Sequence, residues 1–147
     1  MIRAGKSSDI PAIVEMASQF WQHTQYDDDY QPEAVEGMAQ ACMDSGLMSV
    51  LVVGDKVEGF ACGLKGPLLA NFDVLAGVEV AWWVNPDHRA GRNGIALLKH
   101  IEKAAKDAGL KYWSMIFMQS SMPDAIEQIY IKMGYKKAET TYTKRLG

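Results

Sequence analysis

The chain reads as a single α/β domain, residues 1–147, with a mixed, mostly antiparallel sheet and about four helices. Three observations predict this. Apolar residues recur at helical spacing over residues 9–23 and 32–46, then run continuously or alternate over 47–64 and 78–84. Turn chemistry at Gly54-Asp55-Lys56 and Asn85-Pro86 separates the extended runs. The 147 residues suit one domain and are few for two. A domain of this size hides roughly 70% of its unfolded surface without staples.

The elements follow in order. Met1 to Ala4 reads as a short first strand. Ser8 or Asp9 then serves as an N-cap with Pro11 in the first turn, and Ile10, Ile13, Val14, Ala17 and Phe20 form one face of a helix over 9–23. Tyr26 to Tyr30 is a polar loop. Pro32 opens a second helix through Val35, Met38, Ala39 and Cys42 that stops near Gly46. Leu47–Val53 and Val57–Leu64 read as an antiparallel hairpin interrupted at Gly66-Pro67. Val78–Val84 is the next strand. A helix after residue 94 buries Ile95, Leu97, Leu98 and Ile101 and ends at Gly109. Tyr112–Met118 is a strand, Ala125–Met133 a helix closed by Gly134, and Tyr135–Leu146 a last strand.

Composition excludes several classes. Hydrophobic residues make up 48% and charged residues 22%, the balance of a globular chain rather than a disordered one. A net charge of −3 argues against general nucleic-acid binding. Cys42 and Cys62 lie in apolar surroundings with no metal-ligand spacing. They read as reduced small hydrophobes. His23, His88 and His100 are scattered, so no metal site is expected. No apolar run approaches the ~20 residues of a membrane span, and the N-terminus lacks a signal-like apolar block. A cytoplasmic location without membrane partners is the expectation.

The strand-to-helix junction carries the first functional signal. Arg89-Ala90-Gly91-Arg92-Asn93-Gly94 links the Val78–Val84 strand to the following helix. Glycines there let backbone N–H groups converge, and the helix adds its own unpaired N–H groups and positive dipole end. Such a place binds phosphate, and Arg89 and Arg92 add full charges. An ordinary connection with solvated arginines is the other reading of the same residues. The loop is neither a Walker motif, since no Gly-Lys-Ser/Thr follows, nor a Gly-x-Gly-x-x-Gly fingerprint.

These residues resemble the cofactor motif of the GNAT (Gcn5-related N-acetyltransferase) superfamily, (Arg/Gln)-x-x-Gly-x-(Gly/Ala). Arg89 matches its first position and Gly94 its last, while Arg92 stands where the middle glycine is expected; the Arg-x-Gly-Arg-x-Gly form resembles phage-encoded members. About 40 residues downstream, Ile129-Tyr130-Ile131-Lys132-Met133-Gly134-Tyr135 resembles the family signature (Leu/Ile)-Tyr-x-Lys-x-Gly-(Phe/Tyr). The resemblance implies a GNAT-like fold and direct acetyl transfer from acetyl-CoA, as cosubstrate, to a small-molecule or protein amine. It implies cofactor contacts from Trp83, Val84, Arg89, Ala90, Gly91, Arg92, Asn93 and Gly94. Pro123 stands where many members carry an asparagine on the pantetheine arm, a contact that Ser120 or Ser121 would replace. A homodimer is left open, and a non-catalytic acetyl-CoA-binding module on the same fold is the alternative function.

Two residues suit the chemistry. Tyr130, a phenol with pKa ~10, stays protonated near neutrality and can protonate a leaving thiolate; otherwise it is a core tyrosine. Glu79 lies in an otherwise apolar strand, where alternation puts it on the face of Ala81 and Trp83. Burial there would raise its pKa and suit a general base; otherwise it faces solvent or pairs with an arginine. Trp82 and Trp83 are candidates for the acceptor pocket, with core packing the plainer reading for Trp82. Asp27, Asp28 and Asp29 would attract a cationic amine or form a solvated charge run.

Overall fold

The computed structural model describes residues 1–116 and 123–147. Its strands are β1 (Ile2–Ala4), β2 (Met48–Val53), β3 (Lys56–Leu68), β4 (Asn71–Val84) and β5 (Tyr112–Ser114). Its helices are α1 (Ile10–Trp21), α2 (Pro32–Asp44), α3 (Asn93–Asp107) and α4 (Pro123–Lys132). Short 3₁₀ turns at Ser7–Asp9 and Pro86–His88 lead towards α1 and α3. The sheet runs β1-β2-β3-β4-β5. The first four strands are antiparallel, and β5 lies parallel to β4.

Two-residue alternation assigns each central strand to two cores. Val50, Phe60 and Trp83 point to one face, where they meet Ile13 and Met16 of α1 and Cys42 of α2. Leu51, Ala61 and Val84 point to the other, against Leu97, Leu98 and Ile101 of α3 and Tyr130 of α4. Cys42 and Cys62 are free buried thiols that lie in one core between α2 and β3. Asp9 is buried and stands at the N-cap of α1, but its side chain makes no capping bond there. Its carboxylate takes Arg3 Nη1 at 2.7 Å and Nη2 at 2.9 Å, and the Lys6 backbone N–H at 2.9 Å. This ties β1 to the start of α1 through a bidentate, charge-assisted pair.

Three sequence expectations change. Gly66-Pro67 does not interrupt β3, which continues to Leu68 and pairs Pro67 with Leu75. β2 leaves β3 after Met48↔Cys62, so the far part of β3 is an edge, where a strand tolerates proline. Accordingly β4 begins at Asn71 rather than Val78. The last expected strand does not form: residues 135–146 pair with no described strand, and Tyr142 and Leu146 are 93% and 90% exposed. The segment buries too little apolar surface to fix a register. It is held instead by Arg145 Nη1 to Asp27 at 2.6 Å and by Gln25 Nε2 to Thr143 at 3.3 Å.

The Trp113 ring of β5 lies against Gly63 of β3 and Gly77 of β4, and a Cβ at either glycine would overlap it or Leu110. No helix among the described residues is long and apolar enough to cross a membrane.

Candidate active site

The loop into α3 is shaped by local sequence. Asn85-Pro86 ends β4, and Gly91 takes φ +87°, a left-handed value that glycine adopts without strain. Asn93 Nδ2 donates to the His88 carbonyl at 2.9 Å and closes the loop on itself. Arg92 occupies the N-cap of α3 with φ −109° and makes no capping bond. That φ is open to any residue, so the backbone here does not require the glycine of the family pattern; the left-handed bend falls one residue earlier. The first-turn N–H groups of Asn93, Gly94 and Ile95 therefore have no intrahelical acceptor. The space a Cβ would fill at Gly91 is open.

Arg89 is anchored. Its Nε donates to the Val84 carbonyl at 2.7 Å, and its guanidinium lies 4.4 Å from the centroid of the Trp83 ring. Trp83 itself is buried, with Phe20 edge-on at 6.4 Å and His23 at 5.6 Å. Its indole Nε1 donates to Asn85 Oδ1 at 3.0 Å, and Asn85 Nδ2 donates to Glu58 Oε2 at 2.6 Å. Asn85 and Glu58 were not singled out from sequence. They lie 27 residues apart, and only the β3–β4 pairing brings them together.

The second part of the site lies where β4 and β5 part. Their pairing spans only Ala76–Val78 against Tyr112–Ser114. Immediately beyond it, Val80 has no partner: Cys62 pairs with Ala81 and Gly63 with Glu79. This bulge breaks the strict alternation that would have placed Glu79 with Ala81 and Trp83. Glu79 is 7% exposed, and its Oε2 accepts the Ile116 backbone N–H at 2.9 Å. Burial pushes its pKa up to about 7, partly countered by that N–H. The Tyr130 hydroxyl donates to the Ile116 carbonyl at 2.7 Å. Burial, and then the charge of Glu79, raise the Tyr130 pKa well above the usual phenol value.

Trp82 joins the two parts. Its ring is 6.1 Å from that of Tyr130, its Cζ2 would lie 3.4 Å from a Cβ at Gly94, and its buried Nε1–H has no partner among the described residues. An orphaned buried donor is uncommon and marks a place where a ligand acceptor fits. Tyr135 packs 5.5 Å from Tyr130 and donates to Glu102 at 2.6 Å, bracing the end of α4. Ala90 and Arg92 are exposed beside the loop. Ser120 and Ser121 lie outside the described residues. Asp27, Asp28 and Asp29 are exposed, and Asp27 is taken by Arg145.

The acetyltransferase (GNAT) family model matches residues 10–135, most of the chain. The chain belongs to this family. Among solved structures, the GNAT chain is similar to ribosomal-protein-alanine N-acetyltransferase from Brucella melitensis biovar Abortus 2308, at 16% identity and TM-score 0.75, covering 99% of each chain. It is also similar to a predicted acetyltransferase from Clostridium acetobutylicum, solved with acetyl-CoA, at 12% identity and TM-score 0.76, covering 99% of this chain and 95% of that one. Glucosamine-6-phosphate N-acetyltransferase from Arabidopsis thaliana aligns at 14% identity and TM-score 0.74, covering 100% and 98%. At these identities the likeness establishes the GNAT fold. No curated protein sequence matches.

Proposed function

We propose that this GNAT domain transfers an acetyl group from acetyl-CoA directly to a primary amine, with Glu79 as general base and Tyr130 as general acid. The observation that carries the reading is the placement of a buried carboxylate on the N–H and a buried phenol on the carbonyl of one residue, Ile116, at the mouth where β4 and β5 separate. Acetyl-CoA supplies an activated acetyl thioester. The uncapped N-terminus of α3, the open space at Gly91, the arginines at 89 and 92, and the orphaned Trp82 N–H all suit its phosphates and polar arm. Ala90 and Asn93 complete that loop, and the backbone at Trp83 and Val84 is the expected edge for the pantetheine arm.

Each residue has a task. An alkylamine with pKa ~10.4 is mostly protonated near neutrality and must lose a proton to attack. Glu79, with its pKa near 7, accepts that proton directly or through water. As the new C–N bond forms and the C–S bond breaks, Tyr130 gives its proton to the departing sulfur. Its raised pKa keeps it protonated beforehand, so the proton is released only as charge develops beside it. The Tyr130 hydroxyl has one proton and must first let go of the Ile116 carbonyl, which occupies it as the sulfur would, whereas the Ile116 N–H engages one oxygen of Glu79, Oε2.

The test is acetyl-CoA turnover across a panel of small amines and amine-bearing peptides, read as thiol release. Release with at least one amine, lost in Tyr130→Phe, supports the reading. Tight acetyl-CoA binding with no release from any amine would favour a binding module instead. Absence of stabilisation by any acyl-CoA in thermal titration would overturn both.

A further inference from the structure

The Arg89 guanidinium is held from two sides, by the Val84 carbonyl at its Nε and by the Trp83 ring at 4.4 Å. Among the described residues, its Nη1 and Nη2 make no hydrogen bond. The Trp83 ring is in turn fixed. Its only polar atom is tied to Asn85, which is tied to Glu58, and the Asn85 backbone N–H donates to the Glu58 carbonyl at 2.9 Å. Glu58 lies on β3 and Trp83 on β4, where Gly59 pairs with Val84 and Phe60 with Trp83. The platform under Arg89 is therefore referenced to the sheet and not to the exposed loop.

We propose that Trp83, held by Asn85 and Glu58, is a positioning residue that aims Arg89 at the phosphates of the cosubstrate. The inference rests on reading the Arg89–Gly94 loop as the phosphate site. An arginine on a loop loses much side-chain freedom when it grips a ligand. One already stacked and bonded at Nε has lost that freedom before binding, and its terminal nitrogens keep a fixed fork for phosphate oxygens. Cation–π contact supplies the stack, and the Asn85 bond selects one ring orientation.

The experiment is a double-mutant cycle on ligand affinity, measured by calorimetry with CoA and with pantetheine, which lacks the phosphates. Arg89→Ala should weaken CoA about 10-fold or more. Asn85→Ala and Trp83→Leu should weaken CoA about 3- to 10-fold, leave pantetheine within twofold, and cost nothing further in the Arg89→Ala background. In turnover, Asn85→Ala should raise KM for acetyl-CoA more than it lowers kcat. Additive losses, or equal losses for pantetheine, would mean that Trp83 only holds the fold, and would overturn the proposal. An Arg89→Ala protein that binds CoA normally would instead overturn the phosphate reading beneath it. Should Trp83→Leu not fold, Trp83→Phe keeps the stacking ring, loses Nε1–H, and should match Asn85→Ala.

Discussion

Glu79 and Tyr130 grip opposite ends of the same residue: the carboxylate receives the Ile116 N–H at 2.9 Å, and the phenol donates to the Ile116 carbonyl at 2.7 Å. Neither bond is part of a regular ladder. Both groups are buried among apolar neighbours at the point where two parallel strands diverge, and burial raises both pKa values. Their chemistry can therefore be separated by conservative substitution.

Tyr130→Phe keeps the ring against Trp82 and Tyr135 and removes only the proton. Acetyl-CoA affinity should change less than twofold, while kcat falls by about 10- to 1000-fold, the low to middle range for general-acid loss. Calorimetry and steady-state kinetics on the same preparation check both halves. A loss of affinity as large as the loss in kcat would place Tyr130 in binding rather than in proton transfer.

Glu79→Gln should reshape the pH profile. With a base titrating at about pH 7, kcat/KM of the native enzyme should rise with pH up to about 7 and then level. In the variant that inflection should vanish. Activity above pH 7 should drop by roughly 10²- to 10⁴-fold and recover partly as the amine approaches its own pKa. An unchanged inflection near pH 7 would assign it to another group.

The same carboxylate makes a stability prediction of opposite sense. The Glu79 pKa is raised from 4.5 to about 7 on folding. The stability linked to its neutral form is fully present below pH 4.5 and is lost as pH rises through about 7. Glu79→Gln should therefore match the native protein near pH 4.5 and exceed it at pH 8 by about 3 kcal/mol. Denaturant midpoints at the two pH values decide it.

Asp9 titrates the other way. Hydrogen bonding to Arg3 lowers its pKa, outweighing the cost of burial, and the Lys6 N–H adds to the lowering. Its contribution is present above the ordinary carboxylate pKa and is lost as pH falls through the lowered value. Asp9→Asn should cost on the order of 2 kcal/mol at pH 7, with the difference shrinking on acidification below pH 4. Chemical denaturation as a function of pH measures it.

Arg92→Ala should weaken CoA binding by about 1.5–3 kcal/mol if its side chain reaches a phosphate. Because Arg92 has an ordinary φ and is exposed, the variant should melt at the native temperature. Gly91→Ala meets a different obstacle, the left-handed backbone at φ +87°, and should lower both stability and affinity.

What was legible in the sequence was mostly local. Pro32, Gly46 and Gly134 mark the α2 and α4 boundaries. Tyr130 and the Arg89–Gly94 loop sit in short motifs whose geometry depends on near neighbours. Glu79 stands out because an acid in an apolar strand is conspicuous, but alternation is a poor guide to its direction, since the Val80 bulge depends on a partner strand. The Glu58–Asn85–Trp83 chain was hidden for the same reason. Residues 135–146 looked like a strand from Thr140-Thr141-Tyr142-Thr143, yet propensity without a buried face did not make one.

The seat of Trp113 on Gly63 and Gly77 has a consequence for how the sequence can drift. A methyl group at either glycine is a wedge under β5, and β5 leads within two residues to Ile116. Such a change touches no reacting atom and leaves Glu79 and Tyr130 intact. It would still shift the residue that both of them hold. In an unselected library, then, alanine at 63 or 77 should score with the inactive variants while lying in what looks like plain scaffold. A map of tolerated substitutions would draw the proposed site larger than its chemistry.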